Sequence, residues 1–388
     1  MNSKKLNWSI GMIWAISLLL GFIYNALILP LTMHGTGCEY IVKFITYLIC
    51  LSGSGMFLWW VSNKILQHGA GKMFILTFVP LSLAAIILHY TTGMDEIMGS
   101  TLVIGVLFFL YSHCLTNYIG KPYGLIKLLG LMVLSVIAGY ITGGFSMYYL
   151  TLVTIFVTSL LAVFVYDIPS SKKYYWSFSL MAFAVYFISP FIFVVSSLKD
   201  LVLGFFAPKS SDVYVPIVEQ LNNIKLFKFD IFSNFANTLN YNGSSTYMHI
   251  TAMFGIIAAI IIIFTQIVGV YLMIRRAKQL NNKQNRIFGV MMSVIIGMQI
   301  LLSIGSSFYR LPINDSGAPF LTYKGLELSL VPLLLYVLNI KKDSSDDSFK
   351  SEKKINTTKR KEKKPFYVWL YEFLGLDECS EQIEEWRR

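Results

Sequence analysis

Apolar stretches of about 20 residues alternate with short polar links along nearly the whole chain, and at about 1.5 Å per residue each can cross a bilayer's hydrocarbon as a helix. Roughly ten such runs occupy residues 8–31, 40–61, 73–90, 98–119, 125–141, 145–166, 174–196, 250–274, 287–308 and 326–340. None shows the short alternation of a barrel strand. The runs therefore predict an all-α integral membrane protein of about ten transmembrane helices. Three stretches stand apart. Residues 207–248 are far longer than the other links and are expected to form a large outer loop between helices 7 and 8. Residues 311–325 are polar and proline-punctuated, and residues 341–388 form a tail. The expected organisation is a membrane domain over 1–340 and a basic tail over 341–388 with a short aromatic segment at 366–376.

Charge orients the runs. With the amino terminus inside, the inner links carry Lys64, Lys72, Lys121, Lys172, Lys173, Arg275, Arg276, Lys278, Lys283 and Arg286, whereas the short outer links carry Glu39, Asp95 and Glu96. That is the positive-inside pattern, and it places both termini in the cytoplasm of a plasma-membrane protein and the 311–325 link outside. Arg310 and Lys324 are the outer exceptions. Lys4 and Lys5 precede a first run that is too long for a cleavable signal and lacks a small-residue cleavage site, so it is expected to be retained as an anchor.

Composition agrees: the 388 residues are 55% hydrophobic and 14% charged, which excludes a soluble domain. The net charge of +11 reads as topology plus a basic tail suited to anionic lipid, not as a nucleic-acid footprint. Cys38, Cys50, Cys114 and Cys379 have no pairing or metal spacing, and neither have His89, His113 and His249, so no cofactor or metal site is expected.

Within the 311–325 link, Leu311, Pro312, Pro319, Phe320, Tyr323 and Gly325 fall, without a gap, on the signature L-P-x-T-G-x-P-L-P-F-x-S-Y-G-G-S-S. Thr322 stands for the serine, while Asn314, Asp315, Gly317, Ala318 and Lys324 depart from it. Upstream, Ile296-Gly297-Met298-Gln299 through Ser303-Ile304-Gly305 follows I-G-x-Q-x-x-x-N-I-G with serine for asparagine, and Arg286 opens that helix. The chain thus resembles the SEDS family, which includes FtsW, RodA and SpoVE. The family plan of ten helices, cytoplasmic ends and a large outer loop also agrees. Its amino-terminal landmarks are faint: Glu96 stands near the family's P-S-E-x-x-K, and Tyr140-Ile141-Thr142-Gly143-Gly144 corresponds roughly to Q-P-D-x-G with the acid gone.

The resemblance implies a role in peptidoglycan biogenesis in division, elongation or sporulation, handling lipid II and a class B penicillin-binding protein partner. It also exposes a departure. Active members polymerise lipid II with an aspartate near the end of the large loop. One register puts Ser244 there, another Tyr247, and residues 242–255 contain no carboxylate at all. Neither hydroxyl replaces a carboxylate base at neutral pH without further activation. Asp230 is the nearest acid upstream and the one candidate catalytic residue, reaching the site only if the loop folds back.

The candidate substrate-binding residues are Glu96, Arg310, Pro312, Pro319, Phe320, Tyr323, Lys324 and Gly325. Each also has a plainer reading. The prolines and glycine can simply shape an irregular loop. Arg310 and Lys324 can attract a pyrophosphate or do nothing specific, and Glu96 can be a solvated loop carboxylate. Lys43 and Lys127, near helix ends, read as snorkelling side chains. Three functions stay open: a scaffold or regulator of wall assembly that has lost the polymerase acid, an active glycosyltransferase with a relocated acid, and a multi-pass transporter. The absence of clear intramembrane charges or internal repeats counts against the last.

Overall fold

A computed structural model describes residues 3–32, 37–67, 108–117, 128, 130–135, 137, 150–158, 225–227, 229, 246–307 and 317–350. Among them the regular structure is entirely helical. Helix α1 spans Ser3–Ile23, passes through a π turn at Tyr24–Ile28 and continues over Leu29–Thr32. Then come α2 (Gly37–Gln67), α3 (Phe108–Asn117), helical residues within 128–137 and 150–158, α4 (Thr246–Phe254), α5 (Ile256–Ala277), α6 (Lys283–Ser307) and α7 (Tyr323–Lys350). The runs at 73–90 and 174–196 lie outside the described residues.

Four stretches among the described residues are long and apolar enough to cross a membrane: Lys5–Ile28, Tyr40–Trp60, Ile256–Ala277 and Lys283–Gly305. They are not equivalent. In the most apolar window of Lys283–Gly305, 78% of residues are buried inside the protein, against 22–33% in the other three. Helix α6 is therefore the hub, with α3, α4, α5 and α7 against it, while α2 packs on α7 and α1 on α5. The outer helices turn large apolar side chains outward, among them Trp8, Leu19, Ile49 and Phe264. In a membrane protein that face meets lipid.

Two expectations are corrected. The apolar run expected as one helix over 250–274 is broken at Gly255, whose φ of 89° and ψ of 170° suit only glycine. Hydropathy is continuous across the break, so periodicity could not reveal it. The break leaves the first amides of α5 without intrahelical acceptors. Carbonyls of residues 225 and 226 supply them: Ile256 donates to Lys225 at 3.4 Å and Ile257 to Leu226 at 3.3 Å. Second, the 311–325 link, expected as a polar loop on the outer side, is buried at its end, with Ala318 through Thr322 among the helices. Helix boundaries shift as well: residues 246–248, expected in the outer loop, are helical and buried, and α7 runs past Ile340 to Lys350.

At the turn between α5 and α6, the Asn282 Oδ1 accepts from the Gln284 amide at 2.9 Å and starts α6 as an N-cap. The Arg286 guanidinium donates to the Leu280 carbonyl through Nε (3.2 Å) and Nη2 (2.9 Å). The arginine noted at the head of the motif helix thus closes its own turn.

Candidate functional site

Residues 317–325 form a tight turn that enters the bundle and starts α7. The Leu321 amide donates to the Ala318 carbonyl at 3.1 Å, with Pro319 and Phe320 at the corners and Phe320 at a φ of 61°. That geometry is a type II turn, with a bulky residue where glycine is usual. Thr322 then caps α7, its Oγ1 accepting from the Gly325 amide at 2.9 Å.

Irregular backbone at membrane depth survives only if its polar groups find partners in the protein. Here side chains from three helices supply them. Gln299 Nε2 donates to the carbonyls of Gly317 (3.2 Å) and Gly325 (3.0 Å), and Ser303 Oγ donates to Gly317 at 2.7 Å. Gln266 Nε2 donates to Pro319 at 2.8 Å, and Asn25 Nδ2 to Leu321 at 2.7 Å. From the π turn of α1, the same Asn25 Nδ2 also reaches the Gly21 carbonyl one turn back. Gly21 and Gly325 are glycines by close approach: a Cβ at either would overlap a backbone carbonyl, of Phe320 and Ala318 respectively.

A second layer lies on α4. Tyr247 is fully buried and its hydroxyl donates to Gln266 Oε1 at 2.5 Å, so Gln266 holds Tyr247 and the turn together. The Tyr247 amide donates to Ser307 Oγ at 3.3 Å. His249, also fully buried, pairs its Nδ1 with the Tyr24 hydroxyl at 2.6 Å. Burial pushes the His249 imidazole down to about 4. Burial likewise raises the Tyr247 hydroxyl well above its ordinary range, with the Gln266 bond pulling the other way. Both groups are neutral near pH 7. These bonds hold the turn and a short helix in place.

The candidate binding residues are accordingly divided. Pro319, Phe320 and Gly325 are buried parts of the turn, with the Phe320 ring on Trp14 at 4.8 Å between centroids. Tyr323 is half-buried, edge-on to Tyr47 at 5.5 Å, and Lys43 Nζ sits 5.9 Å from its ring centroid. Lys324 lies in the first turn of α7. Glu96, Asp230, Arg310 and Pro312 lie outside the described residues. Sequence reasoning missed Asn25 and Gln266, single amides in otherwise apolar runs; a lone amide in a membrane span is the signal that could have found them.

No family model matches the sequence, and no curated protein matches it. Solved structures do share its fold. Rod shape determining protein RodA from Thermus thermophilus is 14% identical, with 87% of this chain and 97% of that one covered at a TM-score of 0.52. A RodA variant with one aspartate changed to alanine is 13% identical, with 87% and 97% covered at a TM-score of 0.54. A chain from a peptidoglycan synthase complex that coordinates polymerization and crosslinking is 15% identical, with 87% and 98% covered at a TM-score of 0.56.

The chain has the RodA fold. The SEDS resemblance carried by residues 286–325 is thereby matched at the level of architecture. Within that RodA fold, Gln299 and Ser303 of the upstream motif meet the carbonyls of Gly317 and Gly325 in the downstream one. The two motifs are two sides of one contact.

Proposed function

We propose that this chain is a SEDS-type membrane protein of peptidoglycan assembly, working as a scaffold or regulator instead of a polymerase at the usual acid position. The orientation is the one charge dictates, with both termini cytoplasmic and α4 toward the outer face. Its ligand class is the lipid-linked wall precursor, and its partner class is a class B penicillin-binding protein. The RodA fold and the neighbour drawn from a polymerization and crosslinking complex support this reading. One observation carries the non-catalytic part: Tyr247, at the acid position in one register, is buried and held by Gln266, and residues 242–255 contain no carboxylate.

A second reading keeps one specific support. Phe229, the residue before Asp230, packs against Phe254 at 5.8 Å, and its neighbours Lys225 and Leu226 cap α5. The outer segment therefore folds back to the α4–α5 junction just before Asp230, as a relocated acid would require. Polymerisation of lipid II by the purified protein, alone and with candidate transpeptidases, separates the two. Lipid II binding without glycan strands supports the scaffold. Strands that vanish with Asp230→Ala establish the relocated acid and overturn it.

A further inference from the structure

Between α1 and α7 lies a groove of about 540 Å³, within the size range of small-ligand sites of about 300–1,000 Å³. Its walls are apolar, with Ile10, Trp14 and Leu18 facing Leu333, Val337 and Ile340. The two helices run antiparallel along it, so Asn7 and Lys341 meet at one end, the end that carries the amino terminus and the exposed Lys5. The groove opens between helices whose outer faces carry exposed Trp8, Met12 and Val337, so its mouth faces the lipid. At Gly11, which lines it, an added Cβ would meet no atom within 4 Å.

Arg276 sits behind the polar end. It is 7% exposed, and its Nε donates to Asn7 Oδ1 at 2.9 Å. A guanidinium offers five donors, and Asn7 Oδ1 takes one of them. The carbonyl end of α5 offsets part of the charge. No carboxylate among the described residues lines the groove. A buried cation bonded to Asn7 of the lining, with an exposed Lys341 also on the lining of an apolar slot, is the pattern an anionic amphiphile completes. Phosphate oxygens are the acceptors a guanidinium fork matches best.

We propose that this groove holds one anionic glycerophospholipid from the leaflet at the amino-terminal face. Its acyl chain lies along α1 and α7, and its phosphate sits at the Asn7–Arg276–Lys341 end. The site is separate from the turn at residues 317–325 and stands whether or not the chain polymerises lipid II.

The test is native mass spectrometry of the full-length protein, given equal amounts of dioleoyl phosphatidylglycerol and dioleoyl phosphatidylcholine in detergent. The expected result is one retained phosphatidylglycerol, preferred over phosphatidylcholine by about tenfold. Gly11→Phe, which fills the slot, and Val337→Trp, which closes its mouth, should each abolish retention with an unchanged melting temperature. Lys341→Glu should lower phosphatidylglycerol retention about fivefold and leave phosphatidylcholine unchanged. Equal retention of the two lipids, or wild-type retention by both blocking variants, overturns the proposal. Displacement of phosphatidylglycerol by a polyprenyl phosphate in a competition arm overturns the phospholipid assignment and makes the groove a prenyl-carrier site.

Discussion

The Asn25 side chain donates to the Leu321 carbonyl at 2.7 Å, joining two residues 296 positions apart. It does so from a π turn, where one extra residue per turn reorients side chains and frees carbonyls. Asn25 also donates, with the same nitrogen, to the Gly21 carbonyl one turn back. Replacing it with leucine removes both bonds and leaves the Leu321 carbonyl buried without that donor. A cost of about 1–3 kcal/mol is expected, because an orphaned buried acceptor loses its full desolvation energy. Asn25→Leu should therefore unfold at clearly lower temperature in detergent; a wild-type melting curve would mean the turn is held without it.

Glycines separate by place. Gly325→Ala drives a Cβ into the Ala318 backbone, which cannot yield because Leu321 and α7 fix it. Gly53, on an open helical face, has nothing within 4 Å of its Cβ position. Gly53→Ala should be neutral or stabilising by up to ~1 kcal/mol, as alanine exceeds glycine in helix propensity. Folded yield measured by size-exclusion chromatography should collapse for the first variant only.

Phe320 should reverse a familiar order. Its ring is buried on Trp14, so truncation costs several kcal/mol by either route. Yet its φ of 61° strains any residue with a Cβ by ~1 kcal/mol. Phe320→Gly is therefore expected to be more stable than Phe320→Ala by about that amount, less the extra chain entropy glycine brings to the unfolded state. Denaturant titration of the two variants checks the sign.

The helical membrane architecture was legible because hydropathy alone identifies apolar segments of spanning length, and those at residues 8–31, 40–61 and 287–308 meet helices. The break at Gly255 was not, since Phe254 and Ile256 are equally apolar and only backbone geometry distinguishes them. The turn at 317–325 was legible as irregular from Pro319 and Gly325, but its burial was hidden. Polar loops read as outside until the donors that satisfy them are seen, and those donors lie on α1, α5 and α6, distant in sequence. Gln299 and Ser303 stood out by resemblance, and their partner carbonyls explain why those side chains are needed there.

His249 makes stability depend on pH. In the unfolded chain it binds a proton near 6.5, whereas in the folded protein burial delays this to about 4. Between those values the unfolded state holds more protons, so stability falls as pH drops from 6.5 toward 4 and levels off below. The interval corresponds to ~3 kcal/mol at about 1.4 kcal/mol per pH unit. His249→Gln should flatten the melting temperature over that window while leaving the profile above pH 7 unchanged in shape. An equally steep decline in the variant would assign the dependence to other groups.

Restoring an acid at the position suggested by one register should not restore a polymerase. Tyr247→Asp places a carboxylate where nothing is solvent-exposed, removes the hydroxyl that Gln266 Oε1 accepts from, and brings no cation to offset the charge. An unpaired buried charge protonates or unfolds its surroundings, at a cost of about 3 kcal/mol or more. Gln266 would also lose the bond that aligns its Nε2 on Pro319, so the turn loosens with the helix. The variant is expected to melt below wild type and to make no glycan strands from lipid II. Strands from a stably folded Tyr247→Asp protein would mean that substrate reaches α4, and that the Tyr247–Gln266 pair is a stopper in a working site instead of part of its frame.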